Sequence, residues 1–183
     1  MADTPKGISV SRQDDRIYVR VVGRGTFQNS QPLQQFAGEM IEQGEKEFVV
    51  DLEQCQGMDS TFLGVLAGIG LRLREIGCPS ALRVINIGGR QMESLRTLGL
   101  DRLFDIQTGR QTVPEGADFC PLADADVTQL THPLTKEEAA NLILEAHNNL
   151  VRADKRNALQ FRELTRSLRE AIDRRRARGR DKE

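Results

Sequence analysis

A polar segment between a predicted buried strand and a predicted helix contains the residues whose types and order indicate a function most clearly. Phe48 to Leu52 is a short apolar run of β-forming residues, which is typical of a strand buried on both faces. A polar loop over residues 53–59 leads to Ser60, where a helical pattern begins. The apolar residues of that helix recur at spacings of three and four, at Leu63, Leu66, Ala67 and Leu71.

Ser60 stands where a helix N-cap belongs, and serine is a preferred cap because its hydroxyl can accept a bond from a free N–H. The start of a helix also favours anions, through unpaired N–H donors and the positive end of the helix dipole. A phosphate on Ser60 would therefore suit the helix end, and it would add charge beside Asp59 and any docked partner. Judged by cap chemistry alone, a simple capping role is the ordinary interpretation, because serine caps are common.

The run DLEQCQGMDSTFLGVLAG, residues 51–68, resembles the signature of the STAS domain in the form found in bacterial anti-sigma-factor antagonists. The resemblance extends over residues 8–108. It implies that Ser60 is the serine that a partner kinase phosphorylates, and it implies a mixed β-sheet with helices mainly on one face. The motif is fairly specific, because it joins a strand, a fixed loop and a cap sequence in order.

The chain departs from this signature at Phe62, where the family usually has glycine. We expect a bulky residue there either to narrow access to Ser60 or to contact a different partner. The loop before the preceding helix lies near the phosphorylation site in the family, although such polar residues are usually only turn formers. The predicted partner-binding residues are therefore Asp59, Thr61, Phe62, Thr26, Asn29 and Ser30.

The remaining pattern of residues 1–108 predicts the order β-β-α-β-α-β-α-β, an α/β class. The first helix is expected to start at Pro32, with its cap near Ser30 or Gln31. Gly64, Gly68 and Gly70 lower the helix propensity of the next helix, which makes sense if that helix packs closely against a sheet. Periodicity alone would equally allow a small doubly wound sheet; the resemblance favours the STAS sheet.

Beyond this domain we expect a connecting segment, 109–132, and a helical extension with a basic tail, 133–183. The connecting segment either wraps the domain, with Val113, Phe119 and Leu122 as anchors, or stays mobile. A capping box at Thr135–Glu138 opens a helical pattern that runs to about Arg178. Its apolar stripe is at Ile143, Ala146, Leu150 and Ala153, and then at Phe161, Leu164, Leu168 and Ala171.

Such a stripe must be buried, by docking on the first domain, by folding into a helical hairpin, or by pairing with another chain. We favour pairing, and hence a homo-oligomer formed through the C-terminal helix, because the stripe is long. Asn157 on the stripe suits register control and equally marks a kink near Asp154. Residues 133–183 carry 13 Lys and Arg against 9 Asp and Glu, yet a solvated tail is favoured over a specific nucleic-acid site.

No catalytic constellation emerges, so the protein is predicted not to be an enzyme and to need no cofactor or metal. His132 and His147 are its two histidines, and His147 is expected to have a structural role near the stripe. The N-terminus lacks signal-peptide features, and no apolar run is long enough to span a membrane. Three cysteines without metal-ligand spacing fit free thiols, so a cytoplasmic location is expected.

The resemblance implies a protein of a bacterial partner-switching pathway. Its partners would be an anti-sigma factor that is also a serine kinase of the ATP-binding GHKL type, and a PP2C-like phosphatase. When Ser60 is unphosphorylated, the surface around it would bind the anti-sigma kinase and so release a sigma factor or another target. Phosphorylation of Ser60 would break the contact with the kinase. The alternatives are a constitutive STAS scaffold or transporter accessory subunit that assembles through the C-terminal helix, and a sensor that binds a small ligand in the loop pocket.

Overall fold

A computed structural model describes residues 6–79, 82–114, 116–122 and 133–180, with side chains up to residue 178. Within these ranges the strands are β1 (Gly7–Gln13), β2 (Arg16–Gly25), β3 (Glu47–Asp51), β4 (Cys55–Met58), β5 (Leu82–Ile85), β6 (Asp105–Ile106) and β7 (Cys120–Pro121). The helices are α1 (Phe27–Glu42), α2 (Ser60–Glu75), α3 (Gly89–Thr97), α4 (Lys136–Ala153) and α5 (Asn157–Arg180), with a 3-10 turn at Leu100–Arg102.

The strands form one mixed sheet in the order β6-β5-β3-β2-β1-β7, and β4 pairs with the far end of β2. The β1–β2 hairpin and the β1–β7 pair are antiparallel, whereas β2, β3, β5 and β6 run parallel. Parallel neighbours need crossover connections, which α1, α2 and α3 supply. The predicted α/β class, with its mixed sheet and C-terminal helical extension, is confirmed.

Alternation along the strands sends side chains to two separate apolar layers. Ile17, Val19 and Val50 point to the main core, which also takes in the buried faces of α1 and α2. Tyr18 and Val49, one residue out of step, lie in a small cluster on the opposite face. Because successive strand residues face opposite ways, these two clusters place the helices mainly on one side of the sheet.

The segment after β6 covers the second face of the sheet, as the wrapping alternative predicts. Val113 and Phe119 pack on the cluster of Tyr18, Val49 and Ile85. The Arg20 guanidinium lies 3.7 Å from the centroid of the Phe119 ring, a cation–π contact. The third predicted anchor is also buried, since Leu122 is 2% exposed and belongs to the main core. The rest of the segment, residues 123–132, lies outside the described residues.

Two local predictions are wrong at the edges of the first domain. Residues 55–58, predicted as loop, form β4, because β2 continues to Gly25 and offers them a parallel partner. Helix α1 starts at Phe27 with Thr26 as its cap, so Pro32 lies inside the helix rather than at its start. Long-range contacts that sequence periodicity does not encode decide both boundaries.

The C-terminal extension is a helical hairpin, not one helix of some 40 residues. α4 ends at Ala153 and α5 begins at Asn157, so the helix is interrupted near Asp154, where a kink was one of the two alternatives, and the interruption is a complete break. The helices are antiparallel, since Arg169 of α5 donates to Asn148 of α4 and Arg176 pairs with Glu137. The stripe is shifted on α5, where Phe161, Thr165 and Ile172 are buried while Leu164 is 40% exposed. The hairpin also packs on α2, so docking and hairpin formation occur together. They bury Ala146, Leu150 and Phe161 of the stripe within one chain.

Polar contacts fix the joint of the hairpin against the first domain. The buried Asn157 amide donates to the carbonyl oxygens of Leu98, at 2.9 Å, and Leu150, at 2.8 Å. The Asp154 carboxylate pairs with Arg102 and Arg156. It also lies where a side chain at Gly99 would stand, and that glycine has a φ of +69°. The joint therefore needs a glycine on the domain and a carboxylate on the hairpin.

Stability should depend on pH through this joint. Hydrogen bonds from Arg156 lower the pKa of Asp154 to about 2. The stabilisation is therefore complete above the ordinary aspartate pKa of about 4 and is lost as the pH falls toward 2. We expect Asp154→Asn to lower the urea midpoint at pH 7, and the gap from the unsubstituted protein to narrow as the pH is lowered from about 5 to about 3.

Asp173→Asn is the control, because Asp173 is exposed on α5. A gap between Asp154→Asn and the unsubstituted protein that stays constant over that pH range would show that the joint does not use the ionised carboxylate.

Candidate functional site at the start of α2

Asp59, not Ser60, is the N-cap of α2, which corrects the sequence-based prediction. Its Oδ1 accepts a hydrogen bond from the N–H of Phe62 at 2.8 Å. Its Oδ2 accepts one from the N–H of Phe27, the first residue of α1, also at 2.8 Å. A carboxylate has two oxygens and suits the positive end of a helix, so Asp59 can cap both helices at once.

Because the cap is supplied by its neighbour, Ser60 is the first helical residue and its hydroxyl is free for another contact. The Oγ lies 3.0 Å from Nε2 of His147 on α4, 87 positions away along the chain. The other ring nitrogen, Nδ1, lies 2.7 Å from the carbonyl oxygen of Ile143, which can only accept. In the neutral ring Nδ1 therefore carries the proton, and the Ser60 hydroxyl donates to Nε2.

His147 is enclosed between the two helices of the hairpin and α2. It is 1% exposed, and its ring packs edge-on against Phe161 of α5 at a centroid distance of 4.7 Å. Close approach of α4 to α2 depends on glycine: a Cβ at Gly64 would lie 2.8 Å from the Ala146 Cα. One at Gly68 would lie 2.5 Å from Nδ2 of Asn149. The close packing predicted for the glycines is present, but for Gly64 and Gly68 the neighbour is a helix rather than a sheet.

Phe62 points into the core, away from Ser60. It is fully buried, and a Cβ at Gly25 would lie 2.5 Å from its Cδ1. The aromatic ring therefore neither narrows access to Ser60 nor offers a contact to a partner in this conformation. Thr61, 7% exposed, and Ser30, fully buried, are likewise covered, and the Ser30 hydroxyl donates to the Thr26 carbonyl oxygen. Of the six predicted partner-binding side chains, these three are structural in this conformation.

The other predicted residues meet around the double cap. Asn29 accepts from the Thr26 N–H through Oδ1 at 2.8 Å and donates through Nδ2 to the Arg24 carbonyl oxygen at 3.0 Å. Asp59 joins this loop to α2 through its bond to Phe27. Thr26, Asn29, Asp59 and Ser60 are all half-buried, so they form one partly accessible polar surface.

The Ser60–His147 pair has the geometry of a nucleophile and its base, but the third group differs from that of a catalytic triad. A backbone carbonyl, not a carboxylate, orients the ring, and the ring is closed off by Phe161. A structural role was predicted for His147, and its contact with Ser60 was not predicted from the sequence. The sequence does place His147 beside Ala146 on the apolar face of α4, which indicates burial. It does not indicate which element packs against that face.

Other reactive groups among the described residues do not gather into a site. Burial raises the pKa of the Cys55 thiol, and Cys78 and Cys120 are also free. No cluster of potential metal ligands occurs in the described ranges. Across the same ranges, no helix has the length and apolar character needed to cross a membrane.

The fold and the motif at the start of α2 together indicate the protein family. A sheet with helices on one face, and a strand, loop and capped helix carrying Met-Asp-Ser-Thr, describe a STAS domain. A family model described as "Mlab, STAS domain" matches residues 8–107, more than half of the chain, and the chain belongs to this family. No curated protein gives a significant match.

Solved structures of similar fold have low sequence identity to this chain. The Thermotoga maritima protein TM1081 is 17% identical, with 58% of this chain and 87% of that chain covered and a TM-score of 0.50. The anti-sigma factor antagonist SpoIIAA in its unphosphorylated form is 14% identical, with coverage of 56% and 89% and a TM-score of 0.48. The phosphorylated form of the Bacillus cell fate determinant SpoIIAA is 17% identical, with coverage of 56% and 92% and a TM-score of 0.46.

The double cap predicts a graded loss of stability. Asp59→Ala removes both acceptors and should lower the free energy of unfolding by about 2 kcal/mol, since one cap contributes about 1 kcal/mol. Asp59→Asn keeps one oxygen acceptor and should lose about half as much. Urea unfolding followed by circular dichroism measures both. Asp118→Ala, at an exposed position, is the control, and equal losses for Asn and Ala at position 59 would contradict the double cap.

Proposed function

We propose that this protein is a non-enzymatic anti-sigma-factor antagonist of a bacterial partner-switching pathway, with phosphorylation of Ser60 as its switch. The observation that carries the proposal is the position of the Ser60 hydroxyl. Because Asp59 does the capping, the Ser60 hydroxyl is not used by the helix backbone, and it lies at the positive end of α2 with Nε2 of His147 as its partner. Membership of the STAS family and the sequence Met58-Asp59-Ser60-Thr61 support the same assignment.

The charge at this position gives the switch its physical basis. A phosphoserine carries about −1.5 to −2 at neutral pH. The helix dipole and the free N–H groups of the first turn tolerate that charge on the protein's own side. A partner packed over Ser60 would instead face the phosphate together with the Asp59 carboxylate, and desolvating the two would weaken the complex.

The proposed partners are an anti-sigma factor with serine kinase activity of the GHKL type and a PP2C-like phosphatase that resets the switch. ATP would be bound by the kinase, and this chain needs no cofactor. The docking surface is proposed to consist of Thr26, Asn29, Asp59 and Ser60, which are half-buried. Thr61, Phe62 and Ser30 would support that surface from beneath.

The assignment of Ser60 can be tested by phosphopeptide mass spectrometry. The full chain is incubated with ATP and a GHKL-type anti-sigma kinase encoded near this gene, and fragmentation separates Ser60 from Thr61. We expect one phosphate on Ser60, none with Ser60→Ala, and an unchanged yield with the neighbouring control Thr61→Val. A phosphate found only elsewhere on the chain would contradict the proposal.

Capture of the partner tests the switch itself. The same kinase is immobilised in the absence of ATP, so that it cannot phosphorylate the captured protein. It should retain the unsubstituted protein and Ser60→Ala, and bind Ser60→Asp at least about tenfold more weakly. The reason is that one buried unpaired charge costs more than about 1.4 kcal/mol. Equal capture of all three would favour a constitutive scaffold instead.

A homo-oligomer formed through the C-terminal extension remains a prediction. It was expected because the apolar stripe is long, and the hairpin buries Ala146, Leu150 and Phe161 of that stripe within one chain while Leu164 stays 40% exposed. Size-exclusion chromatography with light scattering, across a range of concentrations, measures the molar mass of the protein in solution. A mass that stays at 20.5 kDa would exclude self-association under those conditions.

A further inference from the structure

The α4–α5 hairpin occupies the surface that a partner of Ser60 would need. We propose that the hairpin is an intramolecular competitor for that surface, and that kinase or partner reaches Ser60 only when α4 is released from α2. The inference builds on the proposed function, in that it takes Ser60 as the group to be reached. It adds a regulatory element that lies outside the STAS domain itself.

The first support is the direct contact between the hairpin and the switch. The Ser60 hydroxyl donates to Nε2 of His147, and the Ile143 carbonyl holds the ring in the tautomer that accepts. The ring is 1% exposed and is backed by Phe161 of the second helix. Both helices of the hairpin thus take part in holding the hydroxyl.

The second support is steric. Phosphoryl transfer from ATP forms a bond between the Ser60 Oγ and the γ-phosphorus, breaks the bond from that phosphorus to the leaving ADP, and passes the hydroxyl proton to a base of the kinase. The phosphorus must approach along the line of the new bond. With an imidazole nitrogen 3.0 Å from the Oγ, the hairpin occupies space that the product phosphate and the kinase require.

The third support is the shape of the covered face. Gly64 and Gly68 leave a smooth strip along α2, against which Ala146 and Asn149 of α4 pack. Small residues at the contact let two helix backbones approach closely, so the strip fits a helix. A partner that docks a helix there competes with α4 for the same atoms.

The fourth support is the mixture of contacts that holds the hairpin down. Apolar packing of Leu142 and Leu150 is accompanied by the Arg152–Glu75 pair, whose two side chains are both exposed. Exposed ion pairs contribute little and form and break readily. Such a contact can hold the hairpin in the resting state and still yield to a partner.

The test measures access to position 60 without any kinase. Ser60→Cys is introduced into the full chain, and alkylation of the new thiol by iodoacetamide is followed by peptide mass spectrometry. Rates are compared at alkaline pH, on the plateau where the thiol is fully ionised, so that His147 does not influence the result through ionisation. Adding Gly64→Ala inserts a methyl group against the Ala146 backbone, which cannot rotate aside, and should force α4 off α2.

We expect Gly64→Ala to speed alkylation of position 60 by about tenfold or more, because overpacking a tight contact favours the open form. Gly38→Ala is the matched control: it makes the same change on the neighbouring helix α1, where the nearest atom is the Arg72 guanidinium at 3.4 Å. It should leave the rate unchanged. Equal rates in all three proteins would overturn the proposal, since Ser60 would then be accessible with the hairpin docked.

Cys55, buried in the core, reports whether the domain itself stays folded. If Gly64→Ala exposes Cys55 as well, Gly68→Ala takes its place, because its methyl group meets only the Asn149 side chain. Faster alkylation of position 60 with Cys55 still protected supports the hairpin as a cover even if Ser60 is never phosphorylated. Phosphorylation of Ser60 with equal alkylation rates would leave the proposed function standing without the cover.

Discussion

The Asp59 carboxylate is the interaction on which the site depends. Its two oxygens accept free N–H groups from the first turns of α1 and α2, those of Phe27 and Phe62, each at 2.8 Å. Each N–H would otherwise be an unpaired donor in a half-buried place, which is costly. One side chain therefore fixes the starting points of two crossover helices relative to each other, and with them the loop at Thr26–Asn29.

Neighbouring residues at the start of α2 contact different parts of the structure. Successive helical residues point about 100° apart, so Ser60 and Phe62, two positions apart, face different surroundings. Asp59 turns back to the cap, Ser60 faces α4, and Phe62 enters the core. The ring of Phe62 needs the space that Gly25 leaves at the end of β2. The bulky residue at a position usually held by glycine is thus accommodated inward, and its ring does not cover the Ser60 hydroxyl.

Sequence patterns predicted the parts of this fold that repeat with a regular period. The apolar run at residues 48–52 located β3, and the capping box at Thr135 marked the start of α4. They failed where a distant residue supplies the partner. β4 is a strand because β2 extends beside it, and the early start of α1 is supported by Asp59, which accepts from the N–H of Phe27.

The candidate site shows the same division between local and distant information. Asp59 and Ser60 could be recognised from a local motif, whereas the roles of the two were exchanged because a serine and an aspartate are both good caps. His147 could not be linked to Ser60, since nothing local says which face of the domain α4 will meet. The glycines of α2 did indicate a close approach, but a missing side chain does not say what fills its place.

A cover that belongs to the same chain has a quantitative consequence for binding. A partner that binds only the open form has its apparent affinity reduced by the fraction of molecules that are open. A hairpin released in about 1% of molecules would weaken binding about a hundredfold, without altering any contact in the complex. The same fraction would scale the rate at which a kinase finds the serine. The stability of the docked hairpin would then determine how much partner is needed for binding, while the charge on Ser60 determines whether the partner stays bound.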